Sequence, residues 1–127
     1  DGDISAALWA ARPEGDFDML LGIGAAPEGV ITATALRGIG GVFEGRLVFR
    51  SDEEEKRAEK MIDDDLTRLW KANDLCQSED AIFAATGVCD GYLPGVKLNN
   101  DGTISTFAEL IDVSKGTIER KDRVHRM

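Results

Sequence analysis

Hydrophobic and polar positions alternate along this chain with two periods, and the changes of period mark its elements. Ile4, Ala7, Leu8 and Ala11 recur at helical spacing, with Asp3 in place to cap and Pro13 to stop the run, so a helix is expected from Ile4 to Arg12. Asp16 to Ile23 contains the continuous apolar stretch Met19, Leu20, Leu21 and Ile23, the pattern of a strand buried on both faces. Small residues then lead to Pro27, placed as a first helical residue. Val30, Ile31, Thr34 and Ala35 give the following helix a packing face up to about Arg37, with Gly38 as its terminator.

The second half has the same logic. Val42 to Phe49 reads as a strand interrupted at Gly45. Ser51 and Glu54 have capping-box spacing, and Ala58, Met61, Ile62, Leu66, Leu69 and Trp70 trace one apolar stripe of a long helix. Ala81 to Ala85, Val96 to Leu98, Thr103 to Val113 and Thr117 to Val124 read as strands. Asn99-Asn100-Asp101-Gly102 and Lys115-Gly116 supply turn chemistry between them. The expected fold class is α/β: a layered sandwich of helices on a mixed sheet that ends in antiparallel strands. At 127 residues the chain fits one domain.

Charge narrows the function classes. A net charge of -9 repels nucleic acid, and the basic residues near the end (Arg120, Lys121, Arg123, Arg126) read as a solvated strand. No apolar run reaches the roughly 18 to 20 residues of a membrane span, and no signal peptide is recognised. Cys76 and Cys89 lack metal-type spacing, so free, reduced thiols are expected, in keeping with a cytoplasmic protein. Asp63-Asp64-Asp65 imitates a metal cluster, but consecutive helical residues point about 100° apart and cannot converge on one ion. His125 has no Cys or Asp partner at a useful spacing and reads as a surface residue.

Two helix starts carry the candidate chemistry. Asp1-Gly2-Asp3 combines a glycine, which allows close backbone approach, with carboxylates beside free helical N–H groups. Such a group can bind sugar hydroxyls or help to hold a cation. Gly22 to Gly29 is a glycine-bearing loop feeding a helix N-terminus, a ready anion site, with Glu28 in the first turn beside any bound phosphate. Its spacing is neither that of a phosphate-binding P-loop nor that of a dinucleotide-binding loop.

In this order and at this distance, DGDISAAL, GIGAAPEGVITATALRGIGG, GRL, the SED-AIFAATGV-DG block and TIER resemble the class II fructose-1,6-bisphosphatases of bacteria (the GlpX type). That family includes the cyanobacterial enzymes acting on fructose and sedoheptulose bisphosphates. The match spans nearly the whole chain. The resemblance implies the C-terminal α/β domain of a longer two-domain enzyme of the lithium-sensitive phosphatase superfamily. It implies hydrolysis of the 1-phosphate of a sugar bisphosphate with Mn2+ or Mg2+, in gluconeogenesis or the reductive pentose pathway. It maps substrate contacts to Asp1, Gly2, Asp3 and Ala25, and a metal ligand to Glu28. Where the family has the second glycine of GIGG this chain has Ala25, which bears on substrate geometry. The family's other metal-binding carboxylates belong to an N-terminal half. The isolated chain is therefore expected to be inactive, to need that missing domain as a partner, and to form homo-oligomers. The alternative is a diverged or truncated module that binds a phosphosugar or a protein without catalysis.

Overall fold

A computed structural model describes residues 2–126. Helix α1 spans Gly2–Ala10 and α2 spans Ala26–Ile39. A two-residue strand β1 (Glu44–Gly45) precedes α3 (Asp52–Met61), and β2 (Trp70–Lys71) leads into the single turn α4 (Ala72–Leu75). The remaining strands are β3 (Ile82–Thr86), β4 (Lys97–Leu98), β5 (Thr103–Asp112) and β6 (Thr117–Arg126).

The sheet is organised around β5. Strand β6 pairs with it along its whole length, from Thr103 opposite Arg126 to Asp112 opposite Thr117. The other edge of β5 is shared: β3 takes residues 108–112 and β4 takes residues 104–105. All these ladders are antiparallel. The hairpin turns follow from the local sequence. Gly102 and Gly116 adopt φ values of 80° and 59°, which glycine reaches without strain. Oδ1 of Asp101 accepts from the Thr103 N–H, and Oδ1 of Asp112 accepts from the Lys115 N–H, so each turn is closed by an aspartate side chain.

One face of the sheet is covered. Leu8 of α1, Ala35 of α2, Phe83 of β3 and Ile111 of β5 form the core, with Ile4, Ile39, Ala85 and Tyr92 packed around it. Helix α2 lies close to β5 because Gly38, inside the helix, has no side chain: a Cβ there would overlap Cγ2 of Ile111. The helix therefore runs past the expected terminator and ends on Gly40, whose φ is 76°. The expected layering of helices on a sheet is borne out.

Three expectations change. Residues 16–23, read as a buried strand, form no strand and are exposed, with bends at Asp16 and Asp18 and no ladder partner among the described residues, because a strand apolar on both faces needs neighbours that this sheet does not place beside it. Of Val42 to Phe49 only Glu44–Gly45 pairs, with Trp70–Lys71, although burial alternates residue by residue from Gly41 to Phe49 as in an extended chain laid on a surface.

The third change is in α3, which stops at Met61, so Leu66, Leu69 and Trp70 fall outside it. Ser51 does cap it, accepting from the Glu54 N–H at 3.3 Å, while Glu54 reaches back one residue further than expected, to the Arg50 N–H. The break comes from Asp64 and Asp65. Their side chains accept from the backbone N–H groups of Asp65 and Thr67, which competes with helical pairing.

Candidate functional site

The two helix starts singled out in the sequence are brought together. Helices α1 and α2 pack against each other, and the Asp3 carboxylate points at the loop before α2: a Cβ built on Gly24 would stand 3.2 Å from its Oδ2. Gly24 thus leaves the space that the carboxylate borders. Gly2 and Asp3 open α1 and are exposed, and Asp1 lies outside the described residues.

Ala25 is the N-cap of α2, with φ -78° and ψ 158°, and Pro27 follows in the first turn. This backbone is ordinary for any L-residue, so the methyl group of Ala25 costs no strain where the related family has glycine. Alanine offers no capping oxygen, and no side chain caps this end. The first intrahelical bond runs from the Gly29 N–H to the Ala25 carbonyl at 3.2 Å. The N–H groups before it are left for solvent or an anion, at the positive end of a helix dipole.

Glu28 sits in that first turn, half-buried, and its Oε2 is buried without a hydrogen-bond partner. A carboxylate oxygen withdrawn from water and left unpaired is costly, and a bound cation would satisfy it. The fit to a metal is therefore good at this one oxygen. It is incomplete beyond it, since among the described residues no group of three His, Cys, Asp or Glu side chains could hold an ion.

The other acidic candidates are occupied. Asp64 pairs with Arg68, Asp65 accepts from Thr67, and Asp63 is exposed. Arg68 also reaches Asp74 at 2.9 Å and lies over the Trp70 ring. His125 Nε2 lies 2.9 Å from Thr106 Oγ1 on the open face of the sheet. Cys76 is buried, Cys89 is exposed, and both are free thiols. Two shallow hollows lie away from the helix starts, one lined by Asp101, Gly102, Thr103 and Arg126 and the other running from Ile82 to Glu119 across the sheet.

One cluster escaped the sequence reading. Glu109, fully buried in β5, pairs with Arg12, two residues past α1, at 3.0 Å and with its cross-strand neighbour Arg120 at 2.7 Å. The Tyr92 hydroxyl donates to it at 2.7 Å. Both guanidinium groups lie over the Tyr92 ring, and Trp9 meets that ring edge-on. Burial, and then the hydrogen bond to Glu109, push the Tyr92 phenol well above its ordinary pKa. The signal was in the strand pattern: Glu109 falls between Phe107 and Ile111 on the inward phase of β5, where a charge needs partners. The cluster fastens the chain just past the far end of α1, the helix whose first turn carries Asp3.

Comparison with known proteins gives the chain's family. The family of bacterial fructose-1,6-bisphosphatases encoded by glpX matches residues 1–125. A D-fructose 1,6-bisphosphatase class 2/sedoheptulose 1,7-bisphosphatase of Gloeobacter violaceus is 36% identical over 98% of this chain, and one of Prochlorococcus marinus is 35% identical over 98%. A D-fructose 1,6-bisphosphatase class 2/sedoheptulose 1,7-bisphosphatase 1 of Acaryochloris marina is 34% identical over the whole chain. The chain spans only about 40% of the length of these relatives. With a family match over nearly every residue and identities above a third, the chain belongs to the glpX-encoded bacterial fructose-1,6-bisphosphatase family of sugar-bisphosphate phosphatases.

Proposed function

We propose that this chain forms the substrate-facing part of a metal-dependent enzyme that removes the 1-phosphate of fructose-1,6-bisphosphate, and of sedoheptulose-1,7-bisphosphate where the relatives' double activity extends to it. The observation that carries this reading is the meeting of the Asp3 carboxylate with the Gly24 loop, beside a helix start whose Glu28 has a buried, unpartnered oxygen. Asp1, Gly2 and Asp3 would hold sugar hydroxyls. The Ala25 backbone and the free N–H groups of α2 would face phosphate oxygens. Glu28 would hold Mn2+ or Mg2+, which when bound stabilises the charge on the phosphoryl group and activates water.

Asp3 and Glu28 are too few to hold the ions such hydrolysis needs, so the rest of the ligands come from the region of the relatives that this chain does not match. The chain by itself is therefore inactive. The complete enzyme works in the cytoplasm as a homo-oligomer, in gluconeogenesis or the reductive pentose pathway. The non-catalytic alternative drew on Ala25 and on the short chain; the φ of -78° at Ala25 is open to any L-residue and bears only on the first.

The test is phosphate release from fructose-1,6-bisphosphate with Mn2+. It is measured on the chain alone and on the chain co-expressed with the region of the Gloeobacter violaceus relative outside the match. Turnover is expected only in the second case, with a loss of at least 100-fold in Glu28→Gln and weaker Mn2+ binding by titration calorimetry. Turnover by the chain alone, or full activity in Glu28→Gln, would refute the assignment.

A further inference from the structure

Helix α1 is gripped more firmly at its far end than at its start. Gly2 and Asp3 are exposed and Ile4 is partly buried, whereas Ala7 and Leu8 are buried, and so is Arg12 just past the helix. The turn that carries Arg12 is fixed to the helix backbone. The Arg12 N–H donates to the Trp9 carbonyl at 3.2 Å, and the Gly15 N–H donates to the Arg12 carbonyl at 3.0 Å. A Cβ on Gly15 would stand 1.8 Å from the Trp9 oxygen, so the absence of a side chain lets this turn close on α1. Arg12 therefore moves with the helix.

Its guanidinium meets the sheet. Glu109 of β5, fully buried, lies 3.0 Å away. The Tyr92 ring has Arg12 over its face at 5.2 Å and Trp9 edge-on at 5.4 Å. The other carboxylate near Arg12, Glu14 at 3.5 Å, is exposed and belongs to the same turn, so it ties α1 to nothing else. Apolar contacts such as those of Leu8 are non-directional and let a helix roll or slide a little. A buried cation that must meet one buried carboxylate has a single place to sit. Buried ion pairs often stabilise no more than apolar residues of the same volume, and their best attested use is to fix register.

We propose that Arg12 and Glu109 are positioning residues: they set the roll and axial position of α1, and through it the place of the Asp3 carboxylate against the Gly24 loop. The consequence for substrate rests on the role given to Asp3 above. Asp3 lies about 9 Å along the helix from Trp9, so a tilt of roughly 10° about the clamped end displaces it by about 1.5 Å. A misplacement of about 1 Å can cost a site about 100-fold. The room at Gly24 is narrow enough to register such a shift, since a Cβ there would already stand 3.2 Å from Oδ2 of Asp3.

The cluster supplies its own control. Arg120 also pairs with Glu109, at 2.7 Å, and lies over the Tyr92 ring, but it is carried by β6 and not by the helix. Arg12→Met leaves Glu109 with Arg120 and the Tyr92 hydroxyl. Arg120→Met leaves it with Arg12 and the same hydroxyl. Neither change strands the buried carboxylate, so a purely structural cluster would answer to both alike.

Amide proton–nitrogen NMR spectra of the chain are compared for these two variants and for Asp3→Asn. Arg12→Met is expected to move the Gly24 and Ala25 resonances in the direction that Asp3→Asn moves them, and at least half as far. Arg120→Met is expected to leave them in place. Arg12→Lys keeps the charge but loses the planar fork; it is expected to move them less than Arg12→Met, and it carries the test should Arg12→Met fail to fold. Unmoved Gly24 and Ala25 resonances in every Arg12 variant that folds, or equal movement in Arg120→Met, would overturn the proposal. In the enzyme completed with the unmatched region of the Gloeobacter violaceus relative, Arg12→Met is expected to raise KM for fructose-1,6-bisphosphate at least 10-fold with kcat within 3-fold, and Arg120→Met to change neither. Moved resonances with an unchanged KM would refute the substrate role of Asp3 while its positioning by Arg12 stands.

Discussion

Gly38 of α2 and Ile111 of β5 share one space: the isoleucine Cγ2 occupies the position that a Cβ on the glycine would need. Ile111 is fully buried and Gly38 is buried, so neither side can yield cheaply. Gly38→Ala is expected to cost about 1–3 kcal/mol by overpacking, despite alanine's better helix propensity. Gly29→Ala in the same helix meets only Cζ of Phe43, at 4.0 Å, and is expected to stabilise by about 0.4–1 kcal/mol. Chemical denaturation of the two variants checks the contrast.

Asp3 and Gly24 give a substitution that separates binding from folding. A methyl at Gly24 would press on an exposed carboxylate, which can swing away, so stability should change by less than about 0.5 kcal/mol. In the complete enzyme the same Gly24→Ala change should raise KM for the bisphosphate severalfold, because Asp3 no longer faces the loop. Steady-state kinetics beside a thermal melt reads both.

Glu109 is the stability test of the buried cluster. Glu109→Gln leaves buried Arg12 with only the exposed Glu14 carboxylate, at 3.5 Å, as a countercharge and is expected to cost about 3 kcal/mol. Tyr92→Phe removes only the hydrogen bond to the carboxylate and should cost about 1.5–3 kcal/mol. Glu79→Gln breaks the Arg37 pair at an exposed carboxylate and should change stability by less than about 1 kcal/mol.

Acid should loosen the segment after α3. The backbone N–H of Asp65 and then Arg68 hold the Asp64 carboxyl below its ordinary range, and the Lys71 N–H does the same for Asp74, with Arg68 adding to it. A depressed folded-state pKa contributes stability above the unfolded value, near 3.9, and the contribution is lost as pH falls below about 4. The melting temperature of the wild-type chain should fall more between pH 5 and pH 3 than that of Asp64→Asn, which has no charge to lose at that position.

What the sequence disclosed depended on how local its cause was. The α2 start at Pro27, the Ser51 cap and the Asn99 to Gly102 turn were legible because a few neighbouring residues determine each. The long hairpin was legible too, since Ser114 to Gly116 closes it locally. Residues 16–23 were misread because an apolar run does not name its own neighbour, and this sheet places none beside it among the described residues. The end of α3 was missed because aspartate side chains outcompeted an apolar stripe. At the site, both helix starts could be named in advance, but the approach of Asp3 to Gly24 is a tertiary fact. So is the pairing of Arg12 with Glu109, 97 residues along the chain.

Strand β6 presents ten residues in a row to solvent, and among the described residues nothing hydrogen-bonds to its outer side. A bare margin of that length is the template on which chains stack into fibres. Its alternation of lysine, arginine and acidic side chains sets like charges against each other in any in-register stack of copies. The chain can thus keep a long free border in solution by making each copy an unwelcome neighbour to the next.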